Sequence, residues 1–187
     1  LRAHAAKLGP LGVVHFDSHT DTEGGRFDHA TPFHHAIREG LIDPEVYIQV
    51  GIRGPLFHPN EVETAKDLGA KVLAIEDCFE MGIPAVIQAI RELMGNRRVY
   101  ISLDIDAVDP AYAPGTGTPE VGGFTSYQML QIVRGLQDLN LVGFDLVEVS
   151  PPYDSGEITS ILAANLVFEF LSLLAVNRQI SSGDPGH

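Results

Sequence analysis

The chain has 187 residues, 44% hydrophobic and 20% charged, a globular composition rather than a disordered or coiled-coil one. Twelve basic residues against 25 acidic ones leave a formal charge of −13, which disfavours a nucleic-acid partner and suits metal cations or small cationic molecules. The single cysteine, Cys78, excludes an intramolecular disulfide and points to a reducing, cytoplasmic setting.

Domains run to roughly 150 residues, so one domain is expected, over residues 1–180. The Ser/Gly/Pro-containing tail 181–187 reads as disordered. The chain opens without Met, inside a helical pattern and without the apolar run of a signal peptide, and so reads as a fragment lacking its N-terminal part. Short apolar runs at 11–17, 46–52, 71–76, 98–104 and 141–149 read as strands. Several are apolar almost throughout, as in strands covered on both faces. Between them, 59–68, 83–94 and 126–139 carry helical spacing, the last with Thr125 or Ser126 at its cap. A final apolar helix spans 157–176. Its most apolar part, 161–176, is broken by Asn165 and Glu169 and reads as too short to cross a bilayer, so no membrane partner is expected. Strand-helix alternation predicts an α/β fold with a parallel sheet and helices on both faces. The loops 22–31 and 107–123 are long enough to be functional. No internal repeat is visible.

Chemistry in such sheets collects at the C-terminal ends of strands. The first strand ends in Asp17-Ser18-His19-Thr20-Asp21. In extended backbone, Asp17, His19 and Asp21 share a face, and this oxygen and imidazole set suits Mn²⁺ or a similar divalent ion. A polar turn capped by Asp is the simpler alternative. The fourth strand ends in Asp104-Ile105-Asp106, where two carboxylates on one face repel each other unless a cation lies between them. Two such clusters in one chain favour a metal site. Glu148, near the end of the fifth strand, is read either as the partner of a cationic group or as a solvated glutamate. His29 is read either as a proton carrier or as an ordinary loop histidine. His15 stands behind Asp17, where it supports the site. His4, His58 and Cys78 are given no role, and His34 and His35 are placed on a helix surface.

In this order the motifs resemble the ureohydrolase family of arginase, agmatinase and related guanidino-compound hydrolases. The matching runs are His15 to Thr22, Phe27-Asp28-His29, Ser102 to Asp106 with Asp109-Pro110, Ala113 to Glu120, and Val147-Glu148-Val149 with Ser150 to Asp154. The resemblance covers about residues 9–176. It looks closest to agmatinases through Glu39 to Pro44 and Tyr153 to Thr159.

The resemblance implies an arginase-like three-layer α/β/α sandwich with a mostly parallel sheet, here without its first strands. It also implies two Mn²⁺ ions. Asp17 and Asp104 would bridge both, Asp21 would complete one shell, and His19 and Asp106 would serve the other. Asp21 would also accept a hydrogen bond from the activated water, His29 would carry a proton, and Glu148 would anchor the guanidinium. The family's further metal-binding histidine, in an upstream Gly-Gly-Asp-His motif, is not in this sequence, so one metal is expected to lack a ligand. Ser18 stands where Ala is usual, and Ala30 where Gly is usual. The implied reaction is hydrolysis of agmatine to urea and putrescine by a cytoplasmic homo-oligomer. Alternatives are a guanidinobutyrase- or guanidinopropionase-type enzyme, or a truncated module that acts through oligomer contacts without catalysis. A carboxylate-bearing substrate would call for Arg26 or Arg53 at the cleft mouth.

Overall fold

The apolar runs pair into one parallel sheet of five strands in the order β3-β2-β1-β4-β5. The structure, a computed structural model, describes residues 1–55 and 58–182, with 178–182 as helix backbone only. The strands are β1 (Leu11–Phe16), β2 (Ile42–Ile52), β3 (Lys71–Ala74), β4 (Arg98–Asp104) and β5 (Asn140–Val147). The helices are α1 (Arg2–Leu8), α2 (Pro32–Arg38), α3 (Glu61–Asp67), α4 (Ile75–Met81), α5 (Ile83–Met94), α6 (Ser126–Gly135) and α7 (Ile158–Ser182).

Two apolar clusters sit on opposite faces of the sheet. Alternation along β1 sends Val14 and Phe16 to one face and Leu11 and Val13 to the other. The first cluster joins the sheet to Val86, Ile90 and Met94 of α5, Met129, Ile132 and Val133 of α6, and Leu166 and Phe170 of α7. The second joins it to Phe33 and Ala36 of α2 and Ala65 of α3. The three-layer α/β/α arrangement expected from the sequence is present.

The differences lie at element ends. The third strand stops at Ala74, and α4 begins at once at Ile75, so Ile75 and Glu76 belong to a helix. Thr125 caps α6 through a reciprocal box with Gln128, but the helix ends at Gly135, short of 139. Helix α7 continues to Ser182, so Ser181 and Ser182 are helical, and 183–187 lie outside the described residues. The expectation that its apolar stretch is too short for a bilayer is also corrected. Ile158–Asn177 is long and apolar enough to cross one by length and composition. Leu162, Ala163, Leu166, Phe170 and Leu173 nonetheless pack into the core, while Ile161, Phe168 and Leu171 stay exposed.

Strands β2 and β3 lie on one side of β1, and β4 and β5 on the other. The chain therefore reverses its direction of travel across the sheet between β1 and β4. At such a switch point the loops after the two strands diverge and leave a crevice. The long loop after β4 is fastened over this edge. Asp109 accepts from the amides of Ala111, Gly122 and Gly123. Arg53, just past β2, is only 8% exposed. Its guanidinium donates to the carbonyls of Asp106 and Glu120, each at 2.6 Å, and also to Val121, Gly51 and Ala107. A Cβ on Gly123 would fall 2.4 Å from this guanidinium, so only glycine lets the loop close on it.

Arg53→Lys keeps the charge but loses the planar five-donor fork. We expect a loss of about 1–3 kcal/mol in denaturant unfolding, from buried carbonyls left without donors. Faster amide exchange should be confined to residues 107–123, and unchanged exchange there would contradict this role of Arg53.

Candidate metal centre

Three adjacent strands deliver acids to the crevice. Asp17 follows β1, Asp104 ends β4, and Glu148 follows β5. The metal-type motif is not extended beyond Phe16. Residues 17–24 are irregular, and Asp21 has a φ of 51°. Asp106 lies in a 3-10 turn, Ile105–Ala107, with its amide donating to Asp104 Oδ1 at 2.9 Å. The ligand types expected from the sequence do converge, but through tight turns rather than a shared strand face.

Among the described residues, two groups of side chains have ligand atoms within 4.8 Å of one another: His15, Asp17 and Asp21, and Asp17, His19 and Asp106. Asp17 belongs to both. Its Oδ1 accepts from the His19 amide at 2.6 Å, and its Oδ2 lies 2.7 Å from His15 Nε2. His19 Nδ1 lies 3.1 Å from Asp106 Oδ2. Asp106 Oδ1 accepts from the Ser18 amide at 3.0 Å and from its hydroxyl at 2.7 Å. Asp104 is buried beside these groups. It lines the same cleft as His19, Asp21, His29, Thr118 and Glu148. His29 and Glu148 are the exposed members, and Glu148, like Asp21, adopts a positive φ, 62°. Asp17, His19, Asp21, His29, Asp104, Asp106 and Glu148 thus meet at one place. Sequence reading missed Glu23 and Glu61, which line the cleft, and Ser18 as an anchor of Asp106. Burial of Ser18 beside a buried acid was the only signal, and it is not visible in a sequence.

The electrostatics show what the acids need. Burial, then the Asp17 charge, pushes Asp21 up to about 9. Burial, then the charges of Asp17 and Asp106, pushes Asp104 up to about 10. Burial opposes ionisation of Asp17 too, but its contacts with His15 and His19 more than compensate and hold it below the ordinary range. Burial would lower His19, yet Asp106 and Asp17 outweigh it and raise the imidazole to about 11. Three buried carboxylates and the part-buried Asp21, with an imidazole among them, are the hard-to-borderline donor set that a divalent cation satisfies. The set fits a pair of cations sharing Asp17.

Neither of the two arginines proposed for the cleft mouth is among the residues that line the cleft. Arg53 is consumed by backbone carbonyls, and Arg26 is exposed beside Asp28. Cys78 is buried, and burial raises its thiol to about 12, which keeps it inert.

The arginase-family model matches residues 1–172. A guanidinopropionase of Pseudomonas aeruginosa is 48% identical over 171 residues, covering 89% of this chain and 54% of the relative. The mitochondrial agmatinase of Gallus gallus is 48% identical over 178 residues, covering 93% and 52%. The solved structure of proclavaminate amidinohydrolase from Streptomyces clavuligerus is similar at a TM-score of 0.90 and 48% identity, covering 94% of this chain and 60% of that one. The chain spans about half the length of the curated relatives it matches.

The raised groups set the pH dependence. Unfolded aspartates lose their protons near pH 4 and unfolded histidine near 6.5, whereas Asp21, Asp104 and His19 keep theirs to about 9, 10 and 11. Between those limits the metal-free native state binds more protons than the unfolded chain, so its stability falls as pH rises. The melting temperature of chelator-treated protein should therefore decline from pH 5 to 9. A cation must displace the same protons, so metal affinity should rise over that range, with proton release measurable by titration calorimetry in buffers of different ionisation enthalpy. A melting temperature that climbs with pH, or binding without proton release, would contradict the assigned protonation.

Proposed function

The chain belongs to the arginase family, and we propose that its metal centre hydrolyses the guanidino group of a doubly cationic substrate of the agmatine class, giving urea and an amine, putrescine from agmatine itself. The observation that carries this reading is the lining of the cleft. Asp21, Glu23, Glu61, Asp104 and Glu148 face it, and no Lys or Arg does among the described residues. The relatives' names divide between agmatine and guanidino-acid substrates at almost the same identity, so identity does not choose between them. Charge does. A tail ammonium is attracted to Glu23 and Glu61, and a tail carboxylate is repelled by them.

Asp17, His19, Asp21, Asp104 and Asp106 would hold two divalent cations, Mn²⁺ being the ion we assign. Such ions lower the pKa of water and offset charge developing on the reacting group. The remaining roles fall to the chain. Glu148 pairs with the guanidinium and orients its carbon toward the acids. Asp21 accepts a hydrogen bond from the attacking water. The bond from the central carbon to the alkylated nitrogen breaks, and His29, exposed at the mouth, passes a proton to the leaving amine. A soluble cytoplasmic homo-oligomer, with Ile161, Phe168 and Leu171 of α7 at a subunit contact, is part of the same proposal.

Urea release from agmatine and from 4-guanidinobutyrate by the Mn²⁺-supplemented chain tests the assignment. Agmatine should be preferred at least ten-fold in kcat/KM, and Glu23→Gln with Glu61→Gln should narrow that preference. A preference for guanidinobutyrate would overturn the substrate class while leaving the centre intact. Asp104→Asn should lose Mn²⁺ binding and urea release together; unchanged urea release would sink the metal assignment.

A further inference from the structure

The parallel register sets His15 of β1 beside Gln49 of β2, and Val13 beside Tyr47. Alternation then puts His15, Tyr47 and Gln49 on one face of the sheet, all three fully buried. They form a connected line. Gln49 Nε2 lies 2.5 Å from the carbonyl of Thr20 and 2.8 Å from the Tyr47 hydroxyl. The Tyr47 hydroxyl lies 3.3 Å from His15 Nδ1, and His15 Nε2 lies 2.7 Å from Asp17 Oδ2. Phe33 covers the histidine ring at a centroid distance of 3.9 Å.

The direction of every proton in this line can be read off. The carbonyl of Thr20 only accepts, so the amide nitrogen of Gln49, not its oxygen, faces it. The second N–H of that amide points to the Tyr47 oxygen, which therefore accepts. The Tyr47 proton is left for His15 Nδ1, which the Gln49 amide also approaches, at 3.4 Å. With the Tyr47 hydroxyl as its donor, Nδ1 is the accepting nitrogen. Nε2 is then the N–H nitrogen, and it donates to Asp17.

We propose that Gln49 and Tyr47 are positioning residues for the metal centre: they lock His15 in its Nε2–H tautomer, and His15 in turn fixes the Asp17 carboxylate toward the neighbouring acids. Distance alone would nominate His15 as a ligand with Asp17 and Asp21. In this tautomer the nitrogen facing the group carries its proton and bonds Asp17 instead of offering a lone pair. With Oδ2 held by His15 and Oδ1 by the His19 amide, the plane of Asp17 is set before a cation arrives. Asp17 is the residue shared by both ligand groups, so its orientation controls both. Partners of this kind affect metal affinity by about 10–100-fold.

The inference rests on the reading of Asp17 as a metal ligand, and the test separates the two. Nitrogen NMR of the metal-free, ¹⁵N-histidine-labelled chain reads the His15 tautomer without any metal. The expected result is Nε2–H in the wild type and a mixture in Tyr47→Phe. Mn²⁺ titration by calorimetry and EPR should then show affinity about ten-fold weaker in Tyr47→Phe. Tyr100→Phe, which removes a hydroxyl bonded to Asp145 on the next strand, should bind as the wild type does. An Nδ1–H tautomer in the wild type overturns the proposal and leaves Nε2 free to ligate. Equal losses in Tyr47→Phe and Tyr100→Phe overturn it as a general loosening of the sheet, and so does unchanged affinity in folded Tyr47→Phe. A wild type that binds no Mn²⁺ defeats the metal reading instead, and the tautomer still decides whether the relay exists.

Discussion

Four carboxylates crowded into one buried crevice are the constraint around which the structure is arranged. Asp17, Asp21, Asp104 and Asp106 lie where solvent is scarce and their charges repel. Such a group survives only if protons, donors or cations offset it. The chain supplies donors in quantity: the amides of Ser18, His19 and Asp106, the Ser18 hydroxyl, and the rings of His15 and His19. What they do not offset is held off by protons on Asp21 and Asp104. Those two protons occupy the places that a cation would fill.

The supporting scaffold follows from the same need. Backbone amides can point at carboxylates only where the chain leaves the regular strand, because within the sheet they are spent on the neighbouring strand. The acids therefore sit at or just past strand ends, with Asp106 in a short 3-10 turn and Asp17 and Asp21 in an irregular loop, and these turns need outside support. Arg53 gives it by binding carbonyls on both sides of the long loop. Gly51 gives it by yielding room: with a φ of 103°, a Cβ there would stand 3.1 Å from the Asp17 carbonyl.

The sheet, its layers and the acids that meet in the crevice were legible in the sequence, because each has a local signature. Apolar runs mark buried strands, and acids at their ends mark the crevice. What was not legible depends on contacts between distant residues. Nothing near Arg53 shows that its guanidinium meets residues 106 to 121, so it was taken for a candidate at the cleft mouth. Nothing in the run Asp17 to Asp21 shows that the backbone turns left-handed at Asp21 rather than continuing as a strand. Glu23 and Glu61 are 38 positions apart and share the cleft only because β1 and β2 are neighbours. The end of β3 is not legible either, because the apolar run continues into Ile75, which opens α4 directly after Ala74.

Among the described residues, three non-glycine residues have positive φ: Asp21, Glu148 and Glu157. Each such residue costs on the order of 1–3 kcal/mol and persists only where its surroundings impose it. Glu157 precedes α7, where Asp154 accepts from the amides of Thr159 and Ser160, so positive φ here serves helix entry. Asp21 and Glu148 have no helix to begin. Both leave a strand region and must at once present a carboxylate to the cleft. Asp21 is held by its carbonyl, which accepts from the Phe33 amide. The segment after Glu148 is held by the Ser150 amide donating to the Gly115 carbonyl, while the Gly115 amide donates to Thr159. The strain at Asp21 is therefore balanced by a contact to α2, and that at Glu148 by a contact of the following segment to the 107–123 loop. Glu148 is thus tied to the fold through the 107–123 loop as well as through the sheet.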